Sequence, residues 1–148
     1  MAERLIHSKT ISRIDRVLKN GAVAEKGNVA CIDLDDGALV AGAVDTNYLP
    51  IGWFEESLTG DGTKTIGVKL FNEIECAVLI NSSTGPVDDG DVGALCYLHS
   101  AFEVSMTGTG KSIAGRVWGI SGTGGGAKVY VEMAPSLGLQ GPVPVVDT

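Results

Sequence analysis

Short apolar runs separated by turn-forming residues dominate the chain between residues 29 and 133. Over 66–70 and 129–133, apolar and polar residues alternate, which is typical of strands with one buried face. Gly-, Asp- and Ser-rich turns recur about every ten residues, without long helical patterns between them. This spacing predicts a mainly β body, a small barrel or sandwich. The predicted strands are 29–34, 38–44, 65–71, 73–80, 93–99, 101–106, 112–120 and 127–133.

The two ends of the chain differ from this body. Ile11, Ile14, Val17 and Leu18 repeat at helical spacing, so residues 1–20 form either a helix or an extended arm. Residues 134–148 carry three prolines and two glycines, which favours an extended, polyproline-like or disordered segment. The predicted organisation is a basic N-terminal arm over 1–20, a β body over 21–134, and a Pro- and Gly-containing C-terminal arm over 135–148.

The net charge of the chain and its distribution limit the kinds of partner it can bind. The 148 residues, a length typical of one domain, carry 11 Lys and Arg against 18 Asp and Glu, a formal charge of −7, which opposes general nucleic-acid binding. Residues 1–20 are nevertheless basic, so we expect this end to contact an acidic surface, such as a neighbouring copy; a solvated tail is the alternative. No apolar run approaches the roughly 18 residues of a membrane helix, and the polar N-terminus is unlike a signal peptide. We expect no membrane partner and synthesis in the cytoplasm.

The sequence offers no convincing reactive site. Cys31, Cys76 and Cys96 each lie in an apolar run, which predicts free, buried thiols in a reducing compartment. His7 and His99 have no partners at ligand spacing, so neither a metal site nor a cofactor is expected. The acidic clusters at 33–36 and 88–91 lack the calcium-loop pattern and predict turns. We therefore expect a protein that is not an enzyme.

Two glycine-rich stretches imitate nucleotide-binding loops. Residues 108–112 read Gly-Thr-Gly-Lys-Ser but precede a predicted strand, whereas a phosphate-binding loop opens a helix. Residues 122–126 connect two predicted strands, unlike a dinucleotide-binding turn. Both stretches predict plain turns. Of the two tryptophans, Trp118 is expected in the core, and Trp53 is either a core residue or an interface anchor.

The order of several segments resembles the bacteriophage capsid decoration, or head cement, proteins. The family commonly has a Gly-x-x-Glu-Glu string, here Gly52-Trp53-Phe54-Glu55-Glu56, although the two aromatic residues are bulkier than usual. The family has an acidic turn where this chain has Leu98-His99-Ser100. The resemblance covers roughly residues 21–134. The segments that carry it are 27–33, 51–56, 67–71, 75–80, 91–97, 114–117 and 128–133.

This resemblance implies a β-tulip-like or small barrel body on the outside of a phage head. Such a protein is made in the host cytoplasm, forms a homotrimer, and clamps adjacent subunits of the major capsid protein. If the two arms make the contacts with neighbouring subunits, deletion of residues 1–20 should abolish capsid binding and leave the body folded. The alternatives are a tail or fibre-base β protein and, from another class, a small β-barrel enzyme or ligand binder. The residues expected to make protein contacts are Arg4, Ile6, His7, Lys9, Arg13, Arg16, Trp53, Pro142 and Val143, with the arginines facing acidic surfaces.

Overall fold

A computed structural model describes residues 12–71 and 76–133. Within those ranges the chain forms twelve strands and one short 3-10 turn, Asp89–Asp91. The predicted mainly β class is confirmed. The strands are β1 Arg13–Val17, β2 Val23–Ala24, β3 Val29–Asp33, β4 Leu39–Ala41, β5 Tyr48–Phe54, β6 Leu58–Thr59, β7 Thr65–Leu70, β8 Cys76–Asn81, β9 Leu95–Leu98, β10 Glu103–Ser105, β11 Ile113–Ser121 and β12 Lys128–Glu132.

Ten of the twelve strands divide between an open sheet and a closed barrel, and β2 and β6 pair in a separate two-stranded sheet. The open sheet has the order β1-β7-β5-β3-β4, with every neighbouring pair antiparallel. The barrel has the order β10-β8-β12-β11-β9 and closes through the β9–β10 pair. Its β8–β10 pair is parallel. Closure leaves the barrel without a free strand edge, whereas the open sheet ends at β1 and β4, whose edges meet only at the parallel bridge between Leu18 and Leu39 among the described residues.

Two hydrophobic clusters cover the two faces of the open sheet. Val29 and Cys31 of β3 are buried with the barrel interior, whereas Ala30 between them belongs to a second cluster that contains Phe54 and Leu18. This division follows from the two-residue period of a strand, which sends successive side chains to opposite faces. The open sheet therefore packs against the barrel with one face and carries its own core on the other.

The boundary predicted at residue 20 falls inside this body. β1 pairs with β7 along its whole length, from Arg13 opposite Lys69 to Val17 opposite Thr65. Leu18, which follows β1, is fully buried. The helical interpretation is therefore wrong for 13–17. Residues four apart share a face in a strand as well as in a helix, so the spacing of Ile14 and Leu18 fitted both. Residues 1–11 of the predicted N-terminal arm and the whole predicted C-terminal arm, 135–148, lie outside the described residues.

Candidate protein-interaction surfaces

Arg13 lies on the edge strand β1 and is paired within its own chain. Its guanidinium donates from Nε to Glu55 Oε1 at 2.6 Å and from Nη1 to Asp15 Oδ2 at 2.9 Å. The hydrogen bond to Glu55, followed by the charge of Asp15, raises the Arg13 pKa. Exposed ion pairs of this kind contribute little to stability. The acidic groups that face Arg13 here belong to its own chain, and its contact with a partner stays a prediction.

Arg16 on β1 and Lys19 just after it also contact other parts of the same chain. Arg16 donates from Nε to the Gly37 carbonyl at 3.0 Å, which ties β1 to the turn between β3 and β4. The Lys19 ammonium lies 2.7 Å from Asp33 Oδ2 and 3.3 Å from Asp36 Oδ2. The hydrogen bond from Lys19 lowers the pKa of Asp33, and the same bond raises the pKa of Lys19. These contacts join the basic segment to the acidic body of the same molecule.

The two tryptophans lie in opposite environments. Trp53 is half-buried and packs against the barrel-side core, with its ring at 88° to that of Phe71 and the ring centroids 5.0 Å apart. Trp53 thus packs at the margin of the core, and its role as an interface anchor stays a prediction. Trp118, expected in the core, is 50% exposed, so that prediction is wrong. Trp118 follows the buried Val117 on β11, so strand alternation directs it to solvent, and the pairing of β11 with β12 shifts at this point, between Val117 and Gly119.

An apolar patch lies around Trp118 on the outer wall of the barrel. Tyr130 of β12 pairs with Gly119 on one side and with Val78 of β8 on the other. We call Val78, Trp118 and Tyr130 the aromatic patch. Sequence reasoning missed it, although the alternation of 128–132 already placed Tyr130 on the same face as Lys128 and Glu132, and hence toward solvent.

One buried amide joins two of the loops that the sequence singled out. The Asn81 side chain donates to the carbonyls of Val87 at 2.8 Å and Gly124 at 3.0 Å, and it accepts from the Val87 amide at 2.8 Å. Asn81 is fully buried at the end of β8. It holds the loop before the Asp89–Asp91 turn against the β11–β12 connection. The hydrogen bonds of Asn81 therefore give both loops a structural role, which is to close one end of the barrel around a buried amide.

The remaining turns agree with the sequence interpretation. Residues 108–112 lead into strand β11, and 122–126 connect β11 with β12. The acidic clusters form turns closed by carboxylates, as in the bonds from the Asp35 amide to Asp33 and from the Gly90 amide to Asp88. A similar turn precedes β7, where the amides of Thr63 and Lys64 donate to Asp61 and lower its pKa to about 2.

The cysteines divide into two kinds. Cys31 and Cys96 are buried, and desolvation raises the pKa of both thiols, that of Cys96 to about 12. Cys76 is exposed at the start of β8, so the expectation of three buried thiols is wrong for this residue. In the part of the chain that the structure describes, no group of three His, Cys, Asp or Glu side chains is arranged to hold a metal ion. Among the same residues, no helix has the length and apolar character needed to cross a membrane.

Comparisons of the chain with family models, with curated proteins and with solved structures give no match. The described structure covers three of the predicted contact residues, and it places Arg13 and Arg16 on the edge of the open sheet and Trp53 against the core. The other predicted contact residues, Arg4, Ile6, His7, Lys9, Pro142 and Val143, lie outside the described residues.

Proposed function

We propose that this chain is a structural virion protein that binds the outside of a phage capsid and stabilises it by clamping adjacent major capsid protein subunits. The order of its β segments, which resembles that of decoration proteins, supports this function. Many copies bound to equivalent sites add up weak individual contacts, so a small body with modest surfaces suffices.

The observation that carries the proposal is the open edge of β1. The Leu70 amide of β7 donates to the Ser12 carbonyl, and the Leu18 amide donates to the carbonyl of Lys64, the residue before β7. In an antiparallel pair, alternate residues bond to the neighbouring strand, so Arg13 and Asp15 direct their backbone N–H and C=O groups away from β7. Beyond them the chain meets β4 through the Leu18–Leu39 bridge and the bond from the Lys19 amide to the Leu39 carbonyl. β1 is the last strand of its sheet. Such an edge can accept a strand from a capsid subunit, with backbone hydrogen bonds providing the affinity.

The structure also indicates how the clamp is best tested. A deletion of 1–20 would remove β1 and Leu18 and thereby damage the sheet, whereas a deletion of 1–11 leaves every described strand in place. Asp15→Pro removes an outward-facing N–H from the edge without removing a β1–β7 hydrogen bond. Asp15→Ala is the matched control, because it removes the same carboxylate and keeps the N–H.

The experiment uses phage particles from cells that make the full chain, with a gold label on the protein. We expect the label on the head surface, and heads without the protein should break at a lower temperature. Asp15→Pro should lower the number of bound copies, while Asp15→Ala should bind like the wild type. Label on the tail would favour the tail or fibre-base alternative, and unlabelled particles would refute the proposal. Wild-type binding by Asp15→Pro would refute strand addition at β1.

A further inference from the structure

The aromatic patch is an exposed apolar surface on the wall of the barrel. Val78, Trp118 and Tyr130 are 51%, 50% and 38% exposed, and they lie side by side on β8, β11 and β12. The Tyr130 ring lies over Gly119, where a Cβ atom would come within 3.3 Å of Tyr130 Cδ2. Trp and Tyr are the residues most often found at the energetic centre of protein interfaces. The patch therefore has the composition of a contact surface.

The charged side chains beside the aromatic patch are arranged so that the patch of one copy can complement the same patch of another. Lys128, Tyr130 and Glu132 face outward from β12 in succession, so a positive and a negative side chain lie on either side of the tyrosine. Arg116 lies opposite Glu132 on β11, but it is half-buried and its guanidinium donates to the Gly93 carbonyl. We propose that the aromatic patch binds the same patch of a second copy of this chain across a two-fold axis. The axis lies in the plane between the two facing barrel walls and crosses β12 at right angles at Tyr130. This arrangement puts Lys128 of each copy opposite Glu132 of the other.

The alternative face-to-face arrangement is disfavoured by the same charges. A two-fold axis parallel to β12 would place Lys128 opposite Lys128 and Glu132 opposite Glu132, and like charges at an interface oppose association. The perpendicular axis also brings Trp118 against Trp118 and Val78 against Val78, because it keeps each strand opposite its own copy. A closed two-fold contact of this type uses one surface on both subunits.

The size of the patch sets the strength of the contact. Aromatic side chains bury about 150–250 Å² each, so half-exposed ones offer on the order of 100 Å². With Val78, the apolar centre covers roughly 300 Å² per copy, against about 800 Å² per partner in a standard stable interface. We therefore infer a weak, concentration-dependent dimer. This contact does not rest on the proposed capsid function, and it is separate from the threefold contact that the resemblance implies.

The experiment is sedimentation equilibrium of the purified full chain from about 10 µM to about 1 mM, the range for a weak, transient interface. The average mass of the wild type should rise from 15.3 kDa toward twice that value. Trp118→Ser should weaken dimerisation at least about tenfold, because it removes an anchor at the centre. Leu34→Ser, a similarly exposed residue near the open sheet, is the matched control and should leave dimerisation unchanged.

Charge reversal tests the direction of the axis. Lys128→Glu alone and Glu132→Lys alone each create like-charge pairs, and each should weaken dimerisation by about fivefold. The double variant Lys128→Glu/Glu132→Lys restores opposite charges and should return to within about twofold of the wild type. A monomer at every concentration, a mass that levels off at three copies, or a double variant as weak as the single variants would each overturn the proposal.

Discussion

Replacement of Asn81 by alanine should be among the most damaging single changes in the barrel. The substitution removes three hydrogen bonds, and both bonds to Val87 are buried. A buried polar group that loses its partner costs about 1–3 kcal/mol, whereas the exposed Gly124 carbonyl can bind water and costs about 0.5 kcal/mol. The sum is a loss of about 2.5–6.5 kcal/mol in the free energy of unfolding. Domains have only about 5–15 kcal/mol in total.

Urea denaturation followed by tryptophan fluorescence measures this loss. With a urea slope of about 2 kcal/mol per molar, the midpoint should fall by roughly 2 M. Asn47→Ala is the matched control, because the Asn47 side chain makes only long contacts of 3.4 and 3.5 Å with Asp35 at the surface. We expect the control to change stability by less than about 0.5 kcal/mol.

A second variant separates hydrogen bonding from packing. Asn81→Asp keeps the size of the side chain but loses the two donors to Val87 and Gly124, and it places a carboxylate beside two carbonyl oxygens. It should be at least as destabilising as alanine at neutral pH. If both variants unfold within 1 kcal/mol of the wild type, on the order of a surface substitution, the amide does not hold the two loops and the reasoning fails.

Two further predictions concern the thiols and one turn. Brief treatment of the native protein with iodoacetamide should alkylate Cys76 alone, and Cys31 and Cys96 should react only in urea. Mass spectrometry of peptides measures the labelling, and labelled Cys31 or Cys96 in the native protein would contradict their burial. Asp61 has a folded pKa of about 2, below its ordinary value of 3.8, so it stabilises the fold above pH 3.8 and the contribution disappears as the pH falls toward 2. The stability difference between the wild type and Asp61→Asn should therefore narrow between about pH 5 and about pH 2. A stability difference that stays constant across that range would show that the hydrogen bonds from Thr63 and Lys64 do not stabilise the Asp61 carboxylate.

The strand pattern was predictable where the residues alternate and where turns are strong. All eight predicted strands have a counterpart in the structure, because glycine and aspartate turns delimit them. β5 was missed because Pro50 and Gly52 interrupt its apolar run. In the structure, the register between β3 and β5 shifts beside Pro50, where a β-bulge tolerates proline. A Cβ atom at Gly52 would lie 2.1 Å from the Lys69 carbonyl oxygen, so the close strand approach requires glycine.

The surfaces were harder to predict than the fold. Trp118 was assigned to the core because large aromatic residues usually bury, but β11 turns the neighbouring Val117 to the core and Trp118 therefore to solvent. Arg13 was expected to meet a partner, but the fold brings Glu55, forty-two positions away, to its guanidinium. Both outcomes depend on register and long-range pairing, which a single sequence does not encode in a local pattern.

The two proposed surfaces lie on different parts of the molecule and therefore do not compete. The aromatic patch belongs to the barrel, while the open edge of β1 belongs to the other sheet. A pair of copies joined through their barrels would present two strand-accepting edges at once. Attachment of the first edge raises the effective concentration of the second, so even a weak dimer would strengthen attachment to a surface with repeated sites. A lattice of identical subunits offers such repetition, which is the setting in which a small body with two modest contacts binds firmly.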